Sequence, residues 1–187
     1  MSKNNTKIVF IYGLPASGKL TVGKELSKIA KIPLCHNHMI FDFVFKLFPW
    51  ESKQGHVLRE KLYSDIVKLA VERGSGVIFT HAHADKIKFP FCGTSGDFVK
   101  KMEKVSKIYG AEFCPIYLIC DDKEFLKRAV HPSRKLFSKT NTVKGMKEWL
   151  ATQKANTKLP VSNTLVIDNT NISAKKVAQM IKKHFNL

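Results

Sequence analysis

Residues 11–21 read IYGLPASGKLT, and the fold turns on how this stretch is read. A glycine, four residues and then Gly-Lys make a loop that wraps phosphate groups, provided it stands between a buried strand and a helix. Both flanks are present. The run KIVFIY at 7–12 is short and continuously apolar, and the segment 18–30 places Val22, Leu26 and Ile29 on one helical stripe. Gly13 and Gly18 allow the backbone to turn its N–H groups inward, and the helix N-terminus adds about half a positive charge. Lys19 is then expected to reach the terminal phosphates of a nucleotide, within a binding loop formed by Gly13, Ala16, Ser17, Gly18, Lys19, Leu20 and Thr21. One letter departs from the usual pattern: Leu20 stands where a magnesium-ligating hydroxyl is common, and a threonine, Thr21, comes one place later.

Outward from the loop, apolar β-favouring runs alternate with helical patterns, which argues for an α/β domain with a mainly parallel sheet. Strands are expected at 7–12, 32–35, 76–80, 114–119 and 164–168, and their continuous apolar character suits strands covered on both faces. Helices are expected at 18–30, about 40–48, 56–73, 95–109, 122–130, 143–154 and 173–184, the last opening behind Ser173, a good N-cap. Two stretches, 85–96 and 131–142, read as loops. The 187 residues fit one domain, 1–187, with no repeat and no low-complexity linker.

The longest apolar runs fall far short of the roughly 20 residues that span a bilayer. The polar start MSKNNTK leads straight into a core strand and is no secretory signal, so a cytoplasmic location is expected. The four cysteines, Cys35, Cys92, Cys114 and Cys120, contain no C-x-x-C pair and read as reduced, buried thiols. A net charge of +17 draws anions, whether nucleotides, phosphorylated metabolites, nucleic acid or an anionic surface. The lysines that supply it are scattered, which favours solvated faces over a dedicated nucleic-acid groove.

The stretch GLPASGKLT resembles the loop of the adenylate kinase group, in which no hydroxyl follows the lysine directly and a threonine comes one place later. The resemblance extends over almost the whole chain. LICDDKEFLKRAVHPSRKLFSK resembles the strand, helix and arginine-bearing lid of small P-loop kinases, and TLVIDNTNISAKKVAQMI resembles their last strand, adenine-side loop and closing helix. GKLTVGKEL, LCHNHMIFD and PSRKLFSKT together are similar to small bacterial P-loop proteins of the AAA or shikimate-kinase type. The resemblance implies a three-layer P-loop NTPase fold with a five-stranded parallel sheet, an acceptor arm near 36–60 and a small lid near 128–142. It also implies ATP and Mg2+, with magnesium leaning on phosphates and waters because Leu20 removes one ligand.

Candidate residues follow from chemistry and resemblance together. Of only four arginines, Arg128 and Arg134 match the lid arginines that stabilise charge on a transferring phosphoryl group. Arg59 resembles the acceptor-binding arginine of shikimate-type kinases, and Arg73 reads as a helix C-terminal partner. His36 and His38 stand where those kinases carry an Asp pair, and Asp42, four residues on, is placed to orient the His38 imidazole. The alternative for this pair is a structural histidine cluster. His81 and His83 leave the third strand at its carboxyl end and are read as lining an acceptor pocket, with zinc as the lesser alternative. Thr80 and His81 occupy the usual Walker-B position, leaving Asp85 as the nearest carboxylate for metal, beside the hydroxyl of Thr21.

These features point to an ATP-dependent phosphotransferase acting on a small hydroxyl- or phosphate-bearing acceptor, monomeric or dimeric. A nucleic-acid kinase, favoured by the charge, and a nucleotide-binding module without turnover, favoured by the missing Asp pair, are the alternatives.

Overall fold

The computed structural model describes residues 6–83, 91, 93–132, 142, 144, 145, 147 and 158–187. Five strands, β1 (Lys7–Gly13), β2 (Leu34–His36), β3 (Val77–Ala82), β4 (Glu112–Ile119) and β5 (Leu165–Asp168), form one parallel sheet in the order β2-β3-β1-β4-β5. Six helices flank it among the described residues: α1 (Lys19–Ala30), α2 (Asn37–Leu47), α3 (Lys53–Arg73), α4 (Ser95–Ile108), α5 (Asp122–Ala129) and α6 (Ala174–Phe185). No helix among the described residues is long and apolar enough to cross a membrane.

Strand alternation sorts the core into two layers. On β1, Ile8, Phe10 and Tyr12 face one side, where they meet Ile40 and Val44 of α2, Tyr63 and Val67 of α3, and Phe98 and Met102 of α4. Val9 and Ile11 face the other side and pack with Val22 and Leu26 of α1 and Val177 and Ile181 of α6. Every residue from Ile8 to Tyr12 is fully buried. This accounts for the unbroken apolar reading of that run: a strand covered on both faces has no polar side to show.

The boundaries differ from the expected ones where tertiary contacts extend an element. β3 runs two residues beyond the expected end because Tyr12 and Gly13 of β1 continue the ladder to His81 and Ala82. α2 begins at Asn37, three residues early, where the Asn37 backbone N–H donates to Thr80 Oγ1 at 3.2 Å. α3 likewise begins early, at Lys53, because the Ser52 hydroxyl accepts from the Gly55 N–H, and it ends at Gly74 in the left-handed conformation. α4 opens with a capping box between Thr94 and Asp97. The segment from α2 to α3 carries an aromatic cluster in which Trp50 lies against Phe41, Phe45 and the buried His56, and the His56 Nε2–H donates to the Trp50 carbonyl at 2.7 Å. The helix expected over 143–154 and the lid beyond residue 132 lie largely outside the described residues. Cys35, Cys114 and Cys120 are free thiols, and burial pushes the Cys35 and Cys114 thiols up to about 11 and about 12.

Candidate active site

The carboxyl ends of the strands converge on one edge of the sheet, and the phosphate loop sits at its centre, after β1. Gly13 is there because nothing larger fits: a Cβ at this position would lie 2.3 Å from the Leu118 carbonyl oxygen of β4. The chain then turns through Ala16 in the left-handed region, φ 65°, and through Gly18 at φ 90°, which is the N-cap of α1. No side chain caps α1, and its first turn holds no acidic residue. Its first N–H groups and the dipole behind them therefore face the loop without a protein anion of their own. Lys19 folds back into the loop: its ammonium donates to the Gly13 carbonyl at 2.9 Å, the Leu14 carbonyl at 2.5 Å and Ser17 Oγ at 3.3 Å. Leu20 is half-buried and Thr21 is exposed on the first turn of α1.

A second layer of bonds braces the loop from behind. Asn169, which follows β5, is buried, and its amide Nδ2–H donates to the Ser17 carbonyl at 2.8 Å. Its Oδ1 accepts from Arg128 Nη1 at 2.9 Å, while Arg128 Nη2 donates to the Asn169 and Thr170 carbonyls at 2.9 and 3.2 Å. Arg128 Nε donates to Glu124 Oε1 at 2.8 Å, and that bond holds the Glu124 carboxyl below the usual carboxylate range. The Arg128 fork thus spans Glu124 and the loop after β5. Arg134 and Asp85 lie outside the described residues.

On the other side of the phosphate loop, β2 delivers His36 as the N-cap of α2, again with no side-chain cap and no acid in the first turn. His38 and Asp42 meet one turn apart, with Nδ1 and Oδ1 separated by 3.0 Å. Asn37, between His36 and His38, is tied to the core, since Tyr63 Oη donates to its Oδ1 at 3.1 Å. His81, one residue before the end of β3, and His83, just after it, are buried on the face that carries α3 and α4. The His81 ring packs on Phe10 and Phe98, with Nε2 3.4 Å from Ser95 Oγ. Burial first, then the positive charges of Arg59, His83 and Lys19, lower its pKa to about 3, so it is neutral at physiological pH. His83 stands edge-on to Tyr12 and Tyr117, which are themselves stacked at 4.9 Å. Arg59 is buried, with its guanidinium carbon 5.4 Å from the centre of the Phe98 ring. Among the described residues no group of three or more His, Cys, Asp or Glu side chains converges as a metal site.

Sequence reasoning missed Asn169, Ser95 and Asn37. Each is a small polar residue beside a strand or helix end, and a buried amide just after a strand was the one available signal for Asn169.

No protein-family model and no curated protein matches the chain. Solved structures do. The chain is similar to the APS kinase of Mycobacterium tuberculosis in complex with AMPPNP and APS, at 12% identity and TM-score 0.67, covering 98% of this chain and 99% of that one. The fold is that of the P-loop small-molecule kinases. Shikimate kinase from Acinetobacter baumannii in complex with shikimate is similar at 17% identity and TM-score 0.55, covering 98% of this chain and 94% of that chain. A putative kinase from Chloroflexus aurantiacus is similar at 15% identity and TM-score 0.61, covering 96% of both chains.

Proposed function

We propose that this chain is a single-domain, cytoplasmic ATP-dependent phosphotransferase that moves the γ-phosphoryl of ATP to a small hydroxyl- or phosphate-bearing acceptor. One observation carries the reading: a lysine ammonium held inside a glycine-hinged loop at the start of a helix whose first turn has no protein anion. On binding, Lys19 would exchange its carbonyl partners for phosphate oxygens while the loop N–H groups of residues 16–20 accept the rest of the charge.

The donor set fits magnesium only weakly. Thr21 offers one exposed hydroxyl and Leu20 none, so Mg2+ would be held chiefly by phosphates and water, supplying charge neutralisation. The acceptor side is drawn from β2, α2 and α3. His36 and the N-terminus of α2, whose first turn holds no acid, favour a negative group, and the guanidinium of Arg59, with His81 and His83, is the further support for anion recognition. With Nδ1–H given to Asp42, His38 has Nε2 to accept the proton of an acceptor hydroxyl as its oxygen bonds to phosphorus and the bond to the ADP oxygen breaks. Arg134 is retained as the lid arginine for charge on the transferred group.

ADP formation should be followed with ATP and magnesium against a panel of sugars, sugar phosphates, hydroxy acids, nucleosides and 5′-hydroxyl oligonucleotides. Acceptor-dependent ADP release with a small molecule is the expected result. The net charge of +17 favours the second reading, and salt-sensitive phosphorylation of the oligonucleotide alone would establish it. Tight ATP binding with no transfer to any acceptor would make the chain a binding module.

A further inference from the structure

Asn169 joins two parts of the site that are far apart in sequence. Both ends of its carboxamide are engaged: the oxygen accepts from Arg128, 41 residues away, and the nitrogen donates to the Ser17 carbonyl, 152 residues away. It is 3% exposed and Ser17 is 1% exposed, so these bonds are made without competing water. The orientation of the amide is fixed as well. The guanidinium can only donate, so Oδ1 must face Arg128 and Nδ2 must face Ser17. Arg128 is held in turn by Glu124 on α5 and by the Asn169 and Thr170 carbonyls, and with the bond to Asn169 Oδ1 it makes four donor bonds. The contact is close on the loop side too, where a Cβ added at Gly18 would lie 3.3 Å from Asn169 Nδ2 and 3.8 Å from Arg128 Nη1.

The consequence concerns carbonyl direction. A phosphate cradle works only while its N–H groups point inward and its carbonyls point elsewhere, because a carbonyl oxygen facing a phosphate is repulsive. Gly18, with no Cβ to restrain it, follows Ser17, so the peptide between them is the one most easily turned. The bond from Asn169 fixes that peptide.

We infer that Asn169 is a positioning residue for nucleotide phosphates: it anchors the Ser17–Gly18 peptide so that its N–H faces the cradle, and Arg128 orients Asn169 for this task. The inference rests on the phosphate-loop reading above but adds to it a brace that acts from behind the loop and touches no phosphate.

The test is calorimetric binding of ADP and of inorganic pyrophosphate to the full chain and its variants, with thermal melting of each protein alongside. Asn169→Asp keeps the size of the side chain but loses the donor and sets a carboxylate oxygen against the Ser17 carbonyl. It should weaken ADP and pyrophosphate by a similar factor, about tenfold or more, the scale of one buried hydrogen bond. Arg128→Gln should weaken both less, and the double variant should bind no worse than Asn169→Asp, since both act through one bond. A residue needed only for stability would lower the melting temperature and leave pyrophosphate affinity unmoved. Asn169→Ala serves in place of the Asp variant if that one does not fold. Binding of both ligands at wild-type strength by the Asp and Ala variants overturns the brace, and so does simple additivity of the two losses. If wild-type protein binds neither ADP nor pyrophosphate, the phosphate-loop reading itself falls, and the brace with it. Loss of binding on Lys19→Ala with retention on Asn169→Asp would sink the brace alone.

Discussion

His38 Nδ1 and Asp42 Oδ1 lie 3.0 Å apart across one turn of α2, in the segment that follows β2 at the carboxyl edge of the sheet. The bond fixes which ring nitrogen carries the proton.

From this follows a paired expectation. His38→Asn should lower kcat with the working acceptor by roughly 10²-fold, the usual scale for a lost general base. Asp42→Asn should cost a comparable factor, because its amide can donate to Nδ1 and so move the imidazole proton to Nε2. Steady-state kinetics on both variants check this. Unchanged kcat in both returns the pair to a structural role.

Lys19→Ala should lower turnover by on the order of 10²-fold or more, since the loop then lacks its inward ammonium. The fold should survive. Lys19 is half-exposed and its ammonium bonds atoms of its own loop, so far-UV circular dichroism and the melting temperature should change little. Equal rates of ADP formation in wild type and variant would contradict the site.

Stability should depend on pH through His81. Its folded pKa, about 3, lies far below that of an unfolded histidine near 6.5, so between those values the unfolded chain binds more protons. Stability is therefore full above pH 6.5 and falls as the pH drops towards 3, by up to about 1.4 kcal/mol per pH unit from this group. Urea unfolding at pH 7, 6, 5 and 4 measures the slope. His81→Phe, which keeps a ring between Phe10 and Phe98, should flatten it, leaving a smaller part from His56, whose pKa burial also lowers.

Gly13→Ala and Gly110→Ala separate two causes of glycine use. At Gly13 the new methyl group meets the Leu118 carbonyl oxygen at 2.3 Å, and the cost should be roughly 2–4 kcal/mol, with damage to the phosphate loop. At Gly110 nothing lies within 4 Å, so only the left-handed backbone, φ 76°, opposes the change, at about 1 kcal/mol. Chemical denaturation of both variants gives the comparison.

The parts legible in the sequence were those written locally. The loop GLPASGKLT, its flanking strand and helix, and the i,i+4 spacing of His38 and Asp42 are short-range patterns, and the sheet follows from alternation of such units. Strand ends were misjudged where a neighbouring strand continues the ladder, as at His81 and Ala82, because the partner, β1, is some 70 residues away. The Arg128–Asn169–Ser17 chain was invisible for the same reason. A lone arginine gives its charge to the reader but not its direction, and its direction here is decided by carbonyls 41 and 42 residues downstream.

The aromatic cluster of the segment from α2 to α3 makes the protein report on itself. Of the two tryptophans, Trp50 lies 4.8 Å from the ring of His56 and the same distance from that of Phe45, between α2 and α3, which bracket the proposed acceptor site. Indole emission depends on how closely a neighbouring imidazole and solvent approach the ring. Any ligand that shifts α2 against α3 by a fraction of an ångström would thus change the colour or yield of the intrinsic fluorescence, and unlabelled acceptors can be screened by light before any rate is measured.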